Sequence, residues 1–353
     1  MKPSPCLLEP AFVPRIWGAK SLAPLFPQSP PGEGGVGTPI GEVWLSGNDC
    51  RFATGPFTKR ALGEAWQEMP PEWTGTHAER SAPFPLLVKF LFPEDKLSVQ
   101  VHPNDDYARR REAGKGSTGK TEVWYAVAAR EDAEVFVGLR SGVTADSFRR
   151  AIGDGTVENC LARLKVAAGD AIFVPAGTAH TIGPGIVLCE VQENSDLTYR
   201  VFDYNRRNPD GTARELHIEK AMDVLNFGEQ RGGKVQPVRA GAGCCEITHY
   251  VACPYFAFEG WKSVSRVDFE TDPEHFELFV VIGGAGRIVW QEGASDYALA
   301  QAWFIPAGLG AWRLEPAART TVLRAFVPDL RRYAAQLSAR GVSAADAAQI
   351  IRQ

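Results

Sequence analysis

Short apolar runs punctuated by glycine and proline fill the chain from its start to about residue 140, a pattern of many strands joined by turns and not of long helices. One run, Lys96-Leu-Ser-Val-Gln-Val-His102, alternates polar Ser98, Gln100 and His102 with apolar Leu97, Val99 and Val101, the period of a half-buried strand. Gln100 and His102 therefore share a face, and Pro103-Asn-Asp-Asp106 ends the strand with turn chemistry. A second run, Val123-Trp-Tyr-Ala-Val127, is opened by Glu122 and follows a glycine-rich loop, residues 114–121. Residues 144–164 break the habit. There Phe148, Ala151, Ile152, Val157, Cys160, Leu161 and Leu164 recur at helical spacing and predict a small helical insertion over about 144–165. Strands resume at Ala171, and Ile218, Ala221, Met222 and Leu225 predict a helix over 217–227. After a polar junction at 228–233 the strand pattern starts afresh, and residues 329–352 predict a terminal helical pair broken at Gly341.

Composition narrows the class without naming a chemistry. With 353 residues, 44% hydrophobic and 23% charged, the chain has the makeup of ordinary globular material, long enough for one large or two modest domains. A net charge of −4 gives no electrostatic reason to bind nucleic acid or an anionic membrane. Neither a signal-peptide run nor a membrane-length apolar window is present, so a cytoplasmic location is the expectation. Seven cysteines without a C-x-x-C pair predict reduced, mostly buried thiols, with adjacent Cys244 and Cys245 the most prone to oxidation.

The candidate chemistry starts at Gln100 and His102. Alone, two polar side chains on one strand face fit a solvated sheet equally well. Glu122 adds a carboxylate at the inner end of a strand, where burial demands a partner. His180 closes Gly169-Asp-Ala-Ile-Phe-Val-Pro-Ala-Gly-Thr-Ala-His180, and this G-x5-P-x-G-x2-H spacing resembles the second metal motif of the cupin β-barrels, in which the histidine is a ligand. Two imidazoles, a carboxylate and an amide oxygen make a mixed nitrogen and oxygen set suited to zinc, one ion per chain, or to another divalent first-row metal. The motif also has an echo. Residues 302–311, Ala-Trp-Phe-Ile-Pro-Ala-Gly-Leu-Gly-Ala, align with 171–180 and put Ala311 where His180 stands, while the run from Glu277 echoes the one from Glu122. The expected architecture is mainly β: two cupin-like (jelly-roll) barrels, with the helical insertion and a C-terminal helical segment. A metal-binding catalytic domain would span 1–230 and a degenerate cupin-like domain 231–353. His249, His275 and Glu277 are then packing or surface residues and not ligands.

Lys120 lies two residues before Glu122 and, on one strand face with it, would enter the same pocket to neutralise substrate charge or act as a base. Asp196 and Arg200, four apart, either form a structural ion pair or, for Arg200, offer a fork of donors to phosphate or an enediolate oxygen.

Together these segments resemble type I mannose-6-phosphate isomerases (phosphomannose isomerases) in their shorter bacterial form. The resemblance is carried by Gln100-Val-His-Pro103, Gly119-Lys-Thr-Glu-Val-Trp-Tyr125, Pro175-Ala-Gly-Thr-Ala-His180 and Asn194-Ser-Asp-Leu-Thr-Tyr-Arg200. Arg15-Ile-Trp-Gly18, Gly41-Glu-Val-Trp-Leu-Ser46 and Leu86-Leu-Val-Lys-Phe90 support it. It covers residues 10 to 230 and fades to architecture beyond. It implies interconversion of mannose 6-phosphate and fructose 6-phosphate, with zinc held by Gln100, His102, Glu122 and His180 and with Lys120, Asp196 and Arg200 at the reacting carbons. Ser46, Lys89 and Lys120 are the candidates for the substrate phosphate.

The chemistry asked of these residues is removal of a proton beside a carbonyl, passage through a cis-enediolate, and return of the proton to the neighbouring carbon. Lys120 or Asp196 is the proton carrier and Arg200 the enediolate stabiliser. Two other readings compete: a non-haem iron oxygenase built on His102, Glu122 and His180, and a non-catalytic cupin that binds sugar phosphate. Gln100 speaks against the oxygenase by closing a position that chemistry leaves open; intact ligands speak against the second. A phosphorylated hexose is the expected partner, with no nucleic acid or membrane, in a monomer or homodimer.

Overall fold

A computed structural model describes residues 1–27, 37–78, 82–112, 118–208, 210–242 and 244–352, so positions 114–117 of the predicted loop lie outside the described residues. Contacts divide the chain into two units, each assembled from separate stretches. The first comprises Phe12–Val43 and Phe90–Lys234; the second comprises Met1–Ala11, Trp44–Lys89 and Val235–Gln353. Among the described residues no helix is long and apolar enough to cross a membrane.

The alternation read in the sequence builds the first unit. One sheet runs in the order Gly233–Lys234, Ala171–Val174, Glu122–Ala129, Ile186–Glu193, Leu86–Leu91, Ile40–Trp44, Ala11–Ala19; the other runs Tyr199–Phe202, Val99–Val101, His180–Ile182, Glu134–Leu139, Leu161–Lys165. Trp124, Ile172 and Leu188 from the first sheet meet Val135, Val137 and Ile182 from the second in one core. Alternate residues of the second sheet, Val99, Val101, Phe136 and Tyr199, turn the other way and pack with Phe148, Val157 and Ala221. The solvated-sheet reading of Gln100 therefore fails: the apolar face of its strand lies under the helices Ala145–Gly153 and Ile218–Val224, and the polar face lies between the sheets.

The helical insertion is shorter than predicted. A capping box between Thr144 and Ser147 starts the helix, which ends at Gly153, and a 3₁₀ turn follows at Val157–Cys160. Residues 161–165 are a strand paired with Glu134–Leu139. Leu161 and Leu164 mimic a helical spacing of three. On a strand an odd spacing puts them on opposite faces, and they serve different cores.

The second unit repeats the plan. Its larger sheet runs Cys6–Leu8, Ala302–Ile305, Glu277–Gly283, Thr320–Phe326, Ala257–Ser263, Cys245–Ala252, Val238–Ala242, and its smaller one Val267–Glu270, Ala311–Pro316, Gly286–Trp290, Gly293–Tyr297. Trp261, Phe279, Trp303 and Ile305 pack against Ile288, Trp312 and Leu314 between them. Glu277 pairs with Ile305 as Glu122 pairs with Val174, so the internal echo in the sequence is also an equivalence of register. Each unit thus carries two sheets with an apolar core between them. The terminal helices Leu330–Ala339 and Ala344–Ile350 are separated by Gly341 at φ +82°. All seven cysteines are free, and only Cys244 is exposed.

Candidate metal centre

Three strands of the first unit bring the predicted ligands together. His180 pairs directly with Gln100, and Gln100 in turn with Arg200, so these three side chains form one row across three adjacent strands. The row faces Glu122 on the opposite sheet, whose Oε2 lies 3.9 Å from His180 Nε2. His102, just past the end of the Gln100 strand, approaches Glu122 Oε1 through its Nε2 at 3.3 Å. The Pro-Ala-Gly turn fixes this meeting. Gly177 donates its N–H to the His102 carbonyl at 2.8 Å. At φ +82° it has no room for a side chain, because a Cβ would sit 2.9 Å from the Val224 carbonyl oxygen.

Each imidazole is oriented from behind. His102 Nδ1–H donates to the Leu197 carbonyl at 2.7 Å and His180 Nδ1–H to the Thr178 carbonyl at 2.9 Å, which leaves both Nε2 lone pairs facing inward. Burial draws His102 down to about 3, helped by the Lys120 ammonium; burial also lowers His180. Both rings are thus neutral at pH 7. Burial would raise the Glu122 carboxyl, but the Lys120 ammonium beside it outweighs burial and holds the group well below the carboxylate range. One ligand atom from each of His102, Glu122 and His180 lies within 4.8 Å of the others, and all three residues are buried. Acceptors converge here with one ammonium, that of Lys120, 2.8 Å from Glu122 Oε1, and His102 Nε2 has no hydrogen-bond partner. A cation completes such a set, so the residues fit a metal ion. The Gln100 amide lies with Nε2 3.2 Å from His180 Nε2; rotated by half a turn, it would present Oε1 as a fourth donor.

The segment before Glu122 is pinned at each residue. Gly119 N–H donates to Asp105 at 2.6 Å, Lys120 N–H to the Pro103 carbonyl at 3.0 Å, and Thr121 N–H to Glu193 Oε1 at 2.7 Å. Burial, and then Asp105, push the Glu193 carboxyl up to about 8. Lys120 is consequently a buried, fixed side chain and not a solvated loop lysine.

The remaining expected site residues are placed differently. Arg200 does not pair with Asp196. Its Nε donates to Ser98 Oγ at 3.3 Å and its Nη1 to the Glu215 carbonyl at 2.9 Å, while Asp196 lies exposed in the loop before the Arg200 strand. The spacing of four would suit a helix; here one residue is in a loop and the other in a strand. Ser46 and Lys89 are buried in stretches assigned to the second unit. The Ser46 hydroxyl links two segments there, donating to the Leu86 carbonyl at 3.0 Å and accepting from Val88 N–H at 2.9 Å.

Two side chains at the centre were not singled out from the sequence. Trp124 donates its indole N–H to Glu122 Oε2 at 3.0 Å, and its position two residues along the same strand was a readable signal. Gln192 stands directly opposite Glu122, wholly buried, with Oε1 unpaired. Its signal was pairing register, which one sequence does not display.

Residues 6–136 match the family described as phosphomannose isomerase type I, catalytic domain. The chain is 35% identical to the probable mannose-6-phosphate isomerase GmuF of Bacillus subtilis over 88% of its own length and 96% of that protein's. It is 33% identical to mannose-6-phosphate isomerase ManA of the same organism over 89% and 97%. The solved mannose 6-phosphate isomerase of Bacillus subtilis superposes with a TM-score of 0.82 at 31% identity, covering 91% of this chain and 99% of that one. With fold, ligand cluster and full-length relatives in agreement, the chain belongs to the type I phosphomannose isomerases.

Proposed function

We propose that this protein interconverts mannose 6-phosphate and fructose 6-phosphate by proton transfer through a cis-enediolate. The observation that carries the reading is the row His180, Gln100 and Arg200 facing Glu122, with the Lys120 ammonium beside that carboxylate. Gln100, His102, Glu122 and His180 would hold the metal, and their mixed donors suit zinc or another divalent first-row ion. Bound there, the ion supplies Lewis acidity toward the oxygens on C1 and C2 of the sugar.

The protein's own groups do the rest. Arg200, in the row with Gln100, offers its guanidinium to the enediolate oxygens, where two parallel N–H donors match the developing charge. Lys120 is the better-placed proton carrier, being buried and held 2.8 Å from a ligand oxygen, whereas Asp196 is exposed. With its resting proton given up to solvent as substrate enters, the free amine would take the proton from C2, hold it at Nζ, and return it to C1. Trp124 and the Leu197 and Thr178 carbonyls keep Glu122, His102 and His180 in orientation, so little reorganisation accompanies the reaction. Lys89 remains the candidate for the phosphate, while the Ser46 hydroxyl is committed to the backbone.

Mannose 6-phosphate turned over in D₂O is expected to give fructose 6-phosphate with deuterium at C1, read by proton NMR. Product that keeps all of its original C2 hydrogen would point to a hydride shift and contradict the proton carrier.

A further inference from the structure

Lys120 sits where a strand ladder has run out. The strand Ile186–Glu193 pairs with Glu122–Ala129 as far as Gln192 opposite Glu122, and Lys120 lies before that last pair. Its ammonium is nevertheless held 2.8 Å from Glu122 Oε1, which requires a fixed backbone over 119–121. Glu193 provides it. The main-chain N–H of Glu193 donates to the Thr121 carbonyl at 3.2 Å, and its side-chain Oε1 accepts the Thr121 N–H at 2.7 Å. One residue thus satisfies both backbone groups of Thr121, its carboxyl standing in for the carbonyl of a further strand residue.

A second carboxyl completes the clamp. Asp105, at the start of the helix Asp105–Arg111, accepts the Gly119 N–H at 2.6 Å and is hydrogen-bonded to the Glu193 side chain. The chain passes so close to this helix that glycine is needed at 119, where a Cβ would lie 2.5 Å from Asp105 N. Two acids bond to each other only when one keeps its proton. Glu193 is the buried partner, whereas the Asp105 side chain is 28% exposed with Arg109 Nη1 3.7 Å away, so the proton belongs to Glu193. Neutral Glu193 then donates to Asp105 and accepts from Thr121. The segment that carries Lys120 is tied on either side of it by one bonded pair of side chains.

We propose that Glu193, paired with Asp105, is a positioning residue for the isomerisation, holding the Lys120 side chain in place through the backbone of 119–121, on the reading that Lys120 carries the proton. A carrier displaced by about 1 Å loses up to about 10²-fold in rate, so the clamp is read in kcat. Glutamine has the shape and the hydrogen bonds of the neutral acid: its Oε1 accepts from Thr121 and its amide N–H donates to Asp105. Leucine fills similar space and makes neither bond.

The test compares the full-length metal-loaded protein with Glu193→Gln, Glu193→Leu, Asp105→Ala, and Lys120→Met alone and combined with Glu193→Leu. With mannose 6-phosphate, kcat is expected to fall roughly tenfold or more in Glu193→Leu, with KM changed less, and to stay within about twofold of wild type in Glu193→Gln. In the Lys120→Met background Glu193→Leu is expected to cost less than about twofold, because the side chain it places is gone. Metal content is expected to match wild type in every Glu193 variant. Asp105 is partly exposed, so Asp105→Ala, with kcat lowered roughly threefold or more, carries the test if Glu193→Leu does not fold. Amide hydrogen exchange over 119–121, read by mass spectrometry, is expected to quicken in Glu193→Leu and not in Glu193→Gln. The proposal is overturned by kcat unchanged in Glu193→Leu, or in Asp105→Ala where that variant carries the test. It is also overturned by an equal loss in Glu193→Gln, by an equal cost of Glu193→Leu with and without Lys120, or by loss of metal from Glu193→Leu. Full turnover in Lys120→Met would instead sink the reading of Lys120 as carrier, and the exchange rates would then decide the clamp on their own.

Discussion

His180→Ala is expected to lower the metal content of the purified protein from one ion per chain to near zero and to cost roughly 10³-fold in kcat/KM. A metal supplies several kcal/mol to a developing oxyanion, and each 1.4 kcal/mol is worth about tenfold in rate. The substitution removes one of the two inward-facing lone pairs and leaves Gln100, His102 and Glu122 to hold the ion. Elemental analysis beside the coupled isomerase assay checks both parts, with thermal melting to show that the fold persists. A variant that keeps its metal and its rate would remove His180 from the centre.

Lys120→Met is expected to lower kcat by about 10² to 10⁴-fold in metal-loaded enzyme, the range for loss of a positioned general acid or base, with KM changed less. Methionine nearly preserves length and volume, so the loss reports the ammonium group and not packing. Asp196→Asn is expected to leave kcat within a few-fold, because Asp196 is exposed and makes no ion pair with Arg200. Steady-state kinetics on the two variants separate the carriers. Full turnover in both would remove the proton shuttle, while a large loss in Asp196→Asn alone would transfer the role to that residue.

What the sequence displayed and what it hid follow from the range of the interactions involved. Period-two alternation is local, and it put Gln100 and His102 on one face correctly. The glycine of the Pro-Ala-Gly turn carries its own conformational signature, and His180 was found through it. Pairing register is not local. Nothing in a single sequence shows that Gln100 lies between His180 and Arg200, that Gln192 faces Glu122, or that Cys6–Leu8 pairs with the strand Ala302–Ile305 and so joins the second unit. Antiparallel partners far apart in the chain are chosen by the whole fold. The misreading of 161–165 has the same origin, since Leu161 and Leu164 satisfy a helical period by serving two cores on opposite faces of one strand. At Glu277 the repeat was half legible. The sequence displayed the loss of the histidine at Ala311 but not that Arg324, thirteen residues further on, pairs with Glu277.

The most direct test of the account is the conversion of mannose 6-phosphate to fructose 6-phosphate, followed by a coupled assay before and after exhaustive chelation and again after adding back one equivalent of zinc. Activity is expected to fall to background on chelation and to return with the metal. Activity unchanged in fully metal-free protein, or absent from the fully loaded one, would contradict it.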